Sequence, residues 1–388
     1  MDRRVLAVDI GGTKIAAGLV DGEGKVLRAL RRPTPAADPS RDPAGEAAER
    51  VMAVVADAVR ELLAADPGVR AVGVASAGPV DVGHGTASPV NIPAWRDFPL
   101  AERVRETAGG RPVTLLGDGP AIALGEHWRG AARGHPDVLC MVVSTGVGGG
   151  LVLGGSPHAG PSGNAGHIGH VCVDLDGDMC ACGARGCVET IASGPAIVRW
   201  ALANGWCTPL TEAASDGSTM TGAMPPDSGT TGAAMARIGM AGVDGTAITG
   251  SGTVDAAAVA RAAAAGDVTA RAAFARAGRA LAAAIAAAAA LVDLRLVVVG
   301  GGVAGAGPVL FTPLRKALHD YAVLPFIREV QVRPARLGGD AGLVGAAAAA
   351  VRLIDGAPWR TTDAGRPSTP LGPPMQGADA WLMDGGVA

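Results

Sequence analysis

Residues 163 to 189 read Gly-Asn-Ala-Gly-His-Ile-Gly-His-Val-Cys-Val-Asp-Leu-Asp-Gly-Asp-Met-Cys-Ala-Cys-Gly-Ala-Arg-Gly-Cys-Val-Glu, and no other stretch restricts the fold of the chain so strongly. Within it His170, Cys180, Cys182 and Cys187 offer one imidazole and three thiolates, a donor set that suits a closed tetrahedral zinc site. Gly183 and Gly186 allow backbone turns tight enough for three sulfurs to converge on one ion. Four protein donors leave no open coordination position, so such an ion holds a loop and does not act on substrate.

A disulfide pair or unconnected buried thiols fit the composition less well. Six cysteines in 388 residues, with no secretory leader, are not a secreted disulfide framework. Cys140 and Cys207 lie far from the cluster and read as small core or loop residues. The length suffices for two domains with sizeable cores, and 48% hydrophobic content supports globular folding. A net charge of -3 gives no electrostatic case for nucleic acid or an anionic membrane. The start, Met-Asp-Arg-Arg-Val-Leu-Ala-Val-Asp-Ile, lacks the long apolar run and cleavage site of a signal peptide, so a cytoplasmic protein is expected. The apolar run Ala280 to Val292 is shorter than the ~20 residues that cross a bilayer and reads as a buried helix, so no membrane span is expected.

Asn164, His167 and Glu189 stand beside the thiolates as polar candidates for a ligand. Taken together, Gly-His at 169 to 170, Cys-x-Cys-Gly-x-x-Gly-Cys at 180 to 187 and Glu189 resemble the signature of the ROK family, which comprises sugar kinases, related open reading frames and sugar-responsive repressors. The resemblance implies an α/β architecture of two actin-like ATPase (ribonuclease H-like) domains, with the nucleotide and sugar sites in the cleft between them. It also implies partner motifs elsewhere in the chain.

Residues 5 to 10 read as a strand, and Asp9-Ile-Gly-Gly-Thr-Lys14 as the turn into a second strand, Ile15 to Val20. Gly11 and Gly12 let backbone N–H groups approach a phosphate, Thr13 adds a hydroxyl, Lys14 adds a charge, and Asp9 is placed to hold a magnesium ion. A Gly-Gly turn between strands is by itself usually a hairpin. The turn also resembles the first phosphate motif of the sugar kinase fold. Ala44 to Leu63 reads as an amphipathic helix and Val69 to Ala75 as the strand after it. Ser76 to Asp81 and Asn91 to Trp95 resemble the family's loop over the sugar, which implies that Asn91 meets a ring hydroxyl, although an Asn in such a loop is also an ordinary turn residue.

Val113 to Leu116 is a short strand followed by Gly117-Asp118-Gly119-Pro120 and a helix from Ala121 to Ala132. An Asp before Pro is by itself a helix cap. The resemblance implies instead that Asp118 is the general base that takes a proton from the sugar hydroxyl, and Ala-Leu-Gly-Glu at 123 to 126 supports that register. Phosphoryl transfer to an alcohol needs such a carboxylate near the attacking oxygen and cations on the phosphates. Ser144-Thr-Gly-Val-Gly-Gly-Gly150 follows the strand Val138 to Val143 and resembles the second phosphate motif, with Thr145 and Gly146 nearest the nucleotide. A helix spans Ser193 to Asn204, helical signals resume from Val254 to Ala290, and a strand from Leu294 to Val299 opens into Gly300 to Gly307. That stretch resembles the adenosine motif, with Gly301 and Gly302 against the nucleotide. A last Ala-rich helix after Gly338 is expected to pack back on the first domain.

The domains are expected at 1–125, with the first phosphate motif and Asp118, and at 126–352, with the zinc and adenosine motifs. Residues 208 to 252 read as an inserted, aperiodic surface loop and 355 to 388 as a loose tail. ATP, magnesium and a structural zinc are the expected cofactors, and a homodimer or homotetramer is common in the family.

The function implied is ATP-dependent phosphorylation of a sugar hydroxyl, with the 6-hydroxyl of glucose as the default and His170 among the sugar contacts. A repressor would carry a DNA-binding segment ahead of the first phosphate motif, and only a few residues precede Val5. A silent sugar-binding relative would be expected to lack Asp118 or the phosphate turns. Two departures bear on the substrate: Gly117 stands where the family commonly has Asn, and His167 stands where it has Glu. They make an amino sugar, another hexose or a carbocyclic C7-cyclitol the alternatives to glucose.

Overall fold

In a computed structural model that describes residues 3–36, 44–207, 247–249 and 252–356, the chain builds two five-stranded sheets with the same internal logic. In the first, β1 (Val5–Ile10), β2 (Lys14–Val20) and β3 (Val26–Pro33) form an antiparallel meander. After α1 (Ala44–Ala65), β4 (Val72–Ser76) returns parallel to β1. A small pair, β5 (Val80–Asp81) and β6 (Thr86–Ala87), and α2 (Leu100–Thr107) precede β7 (Val113–Gly117), which lies parallel to β4.

Helix α3 (Asp118–Arg129) leads to the second sheet, where β8 (Val138–Val143), β9 (Val147–Leu153) and β10 (Ser156–His158) repeat the meander. After α4 (Val188–Ala192), α5 (Gly194–Ala203), the hairpin β11 (Ala247–Thr249) and β12 (Gly252–Val254), α6 (Ala256–Ala265) and α7 (Val268–Val292), strand β13 (Leu296–Gly300) lies parallel to β8. Helices α8 (Pro308–Tyr321) and α9 (Pro325–Arg328) lead to β14 (Gln331–Pro334), parallel to β13, and the chain ends its described part in α10 (Ala341–Ile354). The two sheet orders, β3-β2-β1-β4-β7 and β10-β9-β8-β13-β14, are therefore one topology used twice.

Each sheet buries its own apolar set. On one face of the first sheet Val51, Val55, Val59 and Leu62 of α1 pack against Leu6, Val8, Val72 and Val74. On the other face Leu343, Ala346, Ala347 and Ala350 of α10 pack on Val5, Ala7, Ala75, Leu116, Ala121 and Leu124. The last helix thus returns to the first sheet. The second sheet is covered by α7 and α8 through Phe274, Leu281, Ile285, Leu310 and Leu314. By length and composition α7 is long and apolar enough to cross a membrane, longer than the run from Ala280 suggests, but half of that window is buried in this core. Asp255 and Asp267 cap α6 and α7, accepting from Ala258 N and Ala270 N at 2.8 and 2.7 Å.

Two local differences from the sequence reading matter. Strand β3 is an exposed edge whose Arg28, Arg31 and Arg32 hide its period, so it carries no apolar signal. The expected insert 208–252 lies largely outside the described residues, and its described end is the β11–β12 hairpin, whose Val254 is buried in the second core.

Candidate active site

The first turn is held by its own hairpin. Gly11 N donates to Lys14 O at 2.9 Å, and Thr34 braces the turn by donating its hydroxyl to Gly11 O at 2.7 Å and its N–H to Thr13 O at 3.1 Å. Thr13 and Lys14 are exposed at its tip. Asn91 comes to the same turn: a methyl placed on Gly12 would stand 2.6 Å from Asn91 Cγ. The entry to α10 closes the other side, with Lys14 Nζ 3.7 Å from where a Cβ on Gly339 would lie.

The second turn is built the same way in the second sheet. Ser144 N donates to Gly146 O at 2.8 Å, and Gly194 N donates to Ser144 O at 2.7 Å. Glu189 Oε2 accepts from Val147 N at 2.8 Å and stands 2.6 Å from where a Cβ on Gly146 would lie. Gly301 (φ 90°) rests against the Val143 backbone, and Ser144 Oγ approaches Gly302, so the expected nucleotide residues Thr145, Gly146, Gly301 and Gly302 form one neighbourhood.

Asp118 sits where the two halves meet. It is the first helical residue of α3, with Gly117 as the cap, so its carboxylate is not the helix cap that an Asp before Pro suggests. Its Oδ1 accepts from Gly119 N at 2.7 Å. Gly119 lies directly on the Gly149 backbone of β9, and a Cβ on Gly150 would stand 2.6 Å from Gly119 O, which locks the turn that carries Asp118 to the second sheet. The residue is solvent-accessible yet walled by protein, and this crowding pushes its carboxyl above the usual carboxylate range, opposed by Gly119 N–H and His167. Asp9, at the end of β1, is pushed up to about 6 by burial and by the negative charge of Asp118, against the pull of Lys14. The two carboxylates therefore face one space.

The loop that carries the thiolates reaches that space from the second half. Asn164 Nδ2 donates to Val80 O at 3.1 Å and to Ser162 O at 3.0 Å, and its Oδ1 accepts from Val80 N at 3.4 Å. Its amide is thus spent on clamping the loop at Val80. His167 Nδ1 lies 2.9 Å from Asn164 O, which fixes Nδ1 as the protonated nitrogen of the neutral ring and leaves Nε2 as an acceptor near Gly78.

His170, Cys180, Cys182 and Cys187 place one donor atom each within 4.8 Å of one another. The Cys182 and Cys187 sulfurs are 3.7 Å apart, and Cys180 Sγ is 3.7 Å from His170 Nδ1. Ligands ~2.3 Å from a shared tetrahedral ion stand roughly 3.8 Å from each other, whereas a disulfide needs about 2.05 Å, so the donors fit zinc and not a bridge. Cys172, in the same stretch, pairs by backbone with Cys187, but its exposed thiol points to Asp174 O at 3.7 Å and is not in the donor set. Cys140 is buried and Cys207 exposed. Glu189 links this cluster to the second turn, its Oε1 lying 4.0 Å from Cys180 Sγ.

Sequence reasoning did not find Gly342, Gly339 or the Val80 backbone, because each acts through a contact remote in sequence. Two grooves of about 470 and 410 Å³, one lined by Glu49, Arg60 and Arg103 and the other by Arg315, Arg328 and Arg333, include none of the candidate residues.

The duplicated sheet topology defines the actin-like ATPase fold class. Within it the chain belongs to the ROK family, which it matches over residues 5–352. It is 34% identical over 347 residues to the glucokinase of Streptomyces coelicolor, covering 88% of this chain and 96% of that one. It is 38% identical over 209 residues to the N-acetylmannosamine kinase of Yersinia pseudotuberculosis, covering 54% and 67%. The crystal structure of a ROK family glucokinase from Streptomyces griseus in complex with glucose and AMPPNP superposes with a TM-score of 0.67 at 35% identity, covering 89% of this chain and 99% of that one.

Proposed function

We propose that this protein transfers the γ-phosphoryl group of ATP to a hydroxyl of a sugar, with Asp118 as general base. The observation that carries the reading is the Asp118 carboxylate, which opens α3 where Gly119 meets the Gly149 backbone of the second sheet and which raises the pKa of Asp9 in the first. The similarity to glucokinases, one of them solved with glucose and an ATP analogue, supports the substrate pair.

The residues divide the work as follows. The amides of Gly11 and Gly12, the Thr13 hydroxyl and the Lys14 ammonium neutralise the phosphates from one side, and Thr145 and Gly146 do so from the other. Gly301 and Gly302 leave room for the adenosine. Asn91, Glu189, His167 and His170 surround the acceptor with Asp118. Asp118 takes the proton of the attacking hydroxyl as its oxygen approaches phosphorus. Its raised pKa, caused by burial, makes it a stronger base than a free carboxylate.

Among the described residues no hydrogen-bond donor reaches the Asp9 carboxylate, which makes it a fitting partner for a magnesium ion, directly or through water. A magnesium ion bound there supplies charge to the phosphates. The Cys/His cluster fits zinc by its spacing, and that ion's part is to hold the loop bearing Asn164 and His167. We place the division between the two domains at residues 125 and 126, within α3, and assign the protein to the cytoplasm, without nucleic acid or membrane partners.

Glucose is the default acceptor. An amino sugar, another hexose or a C7-cyclitol is favoured as an alternative by Gly117 and His167, which alter the hydrogen-bonding groups around the acceptor. Coupled measurement of ADP release with ATP against hexoses, amino sugars, N-acetyl sugars and carbocyclic polyols tests the proposal, and ATP turnover with none of them overturns it.

A further inference from the structure

Glu126 is a charged side chain with no exposed surface, two turns along α3 from Asp118. Its Oε2 accepts from Ala131 N at 2.7 Å, at the end of its own helix. Its Oε1 accepts from Arg336 N at 2.9 Å and from Leu337 N at 2.8 Å, more than 200 residues away in sequence. No cation pairs with it among the described residues: its partners are three backbone amides. Gly130 leaves the space it occupies, since a Cβ there would collide with Oε2. The placement is costly, because a buried carboxylate loses its hydration and the C-terminal end of a helix disfavours negative charge. Its charge also helps burial push the Cys140 thiol up.

The two chain segments that Glu126 joins are the two that build the site. One is α3, whose first residue is Asp118. The other leads within two residues into Gly339, which lies under Lys14, and then into Gly342, which lies against Asp9. We propose that Glu126 is a positioning residue for phosphoryl transfer: it pins the helix carrying the base to the turn that backs the first phosphate site, so that Asp118 and the Asp9–Lys14 pair keep one geometry. The proposal rests on the kinase reading for its kinetic consequences and on the structure alone for the pin.

Glu126→Gln changes almost no volume but replaces one acceptor oxygen with an NH₂ that confronts an N–H donor. With ATP and the best acceptor from the substrate screen, kcat is expected to fall roughly 10- to 100-fold and KM for ATP to rise, with KM for the sugar nearly unchanged, because a misplaced base slows the reaction without removing sugar contacts. Gly130→Ala, which pushes on the same carboxylate from the other side, is expected to give the same split. Glu126→Asp keeps the charge and should recover part of kcat. A variant that melts at lower temperature but keeps wild-type kcat and both KM values overturns the proposal and leaves Glu126 as a packing residue.

Amide hydrogen exchange of the wild-type protein reads the pin without any variant. Ala131, Arg336 and Leu337 should exchange as slowly as the core strands. Exchange at the rate of exposed loops overturns the pin whether or not the protein proves to be a sugar kinase.

Discussion

The carboxylate of Asp9 and the backbone of Gly342 are in direct apposition: a methyl on residue 342 would stand 2.5 Å from Asp9 Oδ2. A strand end and the first turn of the last helix, 333 residues apart, therefore form one wall of the proposed phosphate site. In an ordinary helix Gly→Ala stabilises by about 1 kcal/mol. Here Gly342→Ala is expected to give no such gain and to lower kcat/KM for ATP by roughly tenfold or more, equivalent to ~1.4 kcal/mol or more of lost transition-state binding. Steady-state kinetics and a melting curve check it; a more stable variant with unchanged kinetics would show that the wall gives way freely.

His167 is proposed to choose among acceptors. Its Nδ1–H is spent on Asn164 O, so the neutral ring offers the substrate one acceptor atom, where a carboxylate offers two oxygens. His167→Glu is expected to raise the kcat/KM of glucose relative to the preferred analogue by roughly 5- to 150-fold, the range set by a hydrogen-bonding difference of about 1 to 3 kcal/mol in total. Competition assays on wild type and variant check it. Glucose already preferred, with a ratio the substitution leaves unmoved, would remove His167 from the specificity account.

Asp9 and Asp118 make the site sensitive to pH. Both hold their protons more tightly in the folded protein than an ordinary carboxylate does, Asp9 up to about 6. Between pH ~4 and about 6 the folded state keeps the Asp9 proton that the unfolded chain has released, so Asp9 makes stability fall as pH rises through that window, and the raised Asp118 acts in the same sense. Asp118→Asn removes one charge and relieves Asp9, so ligand-free Asp118→Asn is expected to melt above wild type at pH 7 to 8, with the gap closing toward pH 4. Melting curves across pH 4 to 8 check the sign. A gap that does not depend on pH would show that the carboxylates do not strain the fold.

The cysteine cluster should carry one zinc per chain. The four donor atoms already lie within 4.8 Å of one another, and metal bound to a site absent from the unfolded chain contributes directly to folding. Metal analysis of protein purified without chelator should return one zinc, and Cys182→Ser or a strong chelator should lower both melting temperature and turnover. Through Glu189, which lies 4.0 Å from Cys180 Sγ and holds Val147 N, the loss should reach KM for ATP as well as for sugar. Fully active protein without zinc would contradict this.

Much of the site was legible because short-range chemistry wrote it. The Cys-x-Cys-Gly-x-x-Gly-Cys spacing, the two glycine turns and Asp118 are each local, and the strands β1, β4, β8 and β13 are continuous apolar runs. Strand β3 was hidden because an edge strand rich in arginine has no buried face to give it a period. Asn164 reads as a sugar-contact candidate, and the structure adds a contact of its amide with Val80, a partner 84 residues away that no local pattern announces. The same holds for Gly342 under Asp9 and for Glu126 under Leu337: the contact lies in the return of α10 to the first sheet, and single-sequence periodicity does not say which carboxylate that helix will meet.

Asp118 is assigned the removal of the proton of the acceptor hydroxyl. Asp118→Asn keeps the shape and the Gly119 N–H contact but cannot take up that proton. Measured at saturating ATP and the best acceptor, its turnover should fall ~10²- to 10⁴-fold while the nucleotide dissociation constant stays within about threefold of wild type. Wild-type turnover in Asp118→Asn would contradict the account and leave Asp118 as a structural residue at the start of α3.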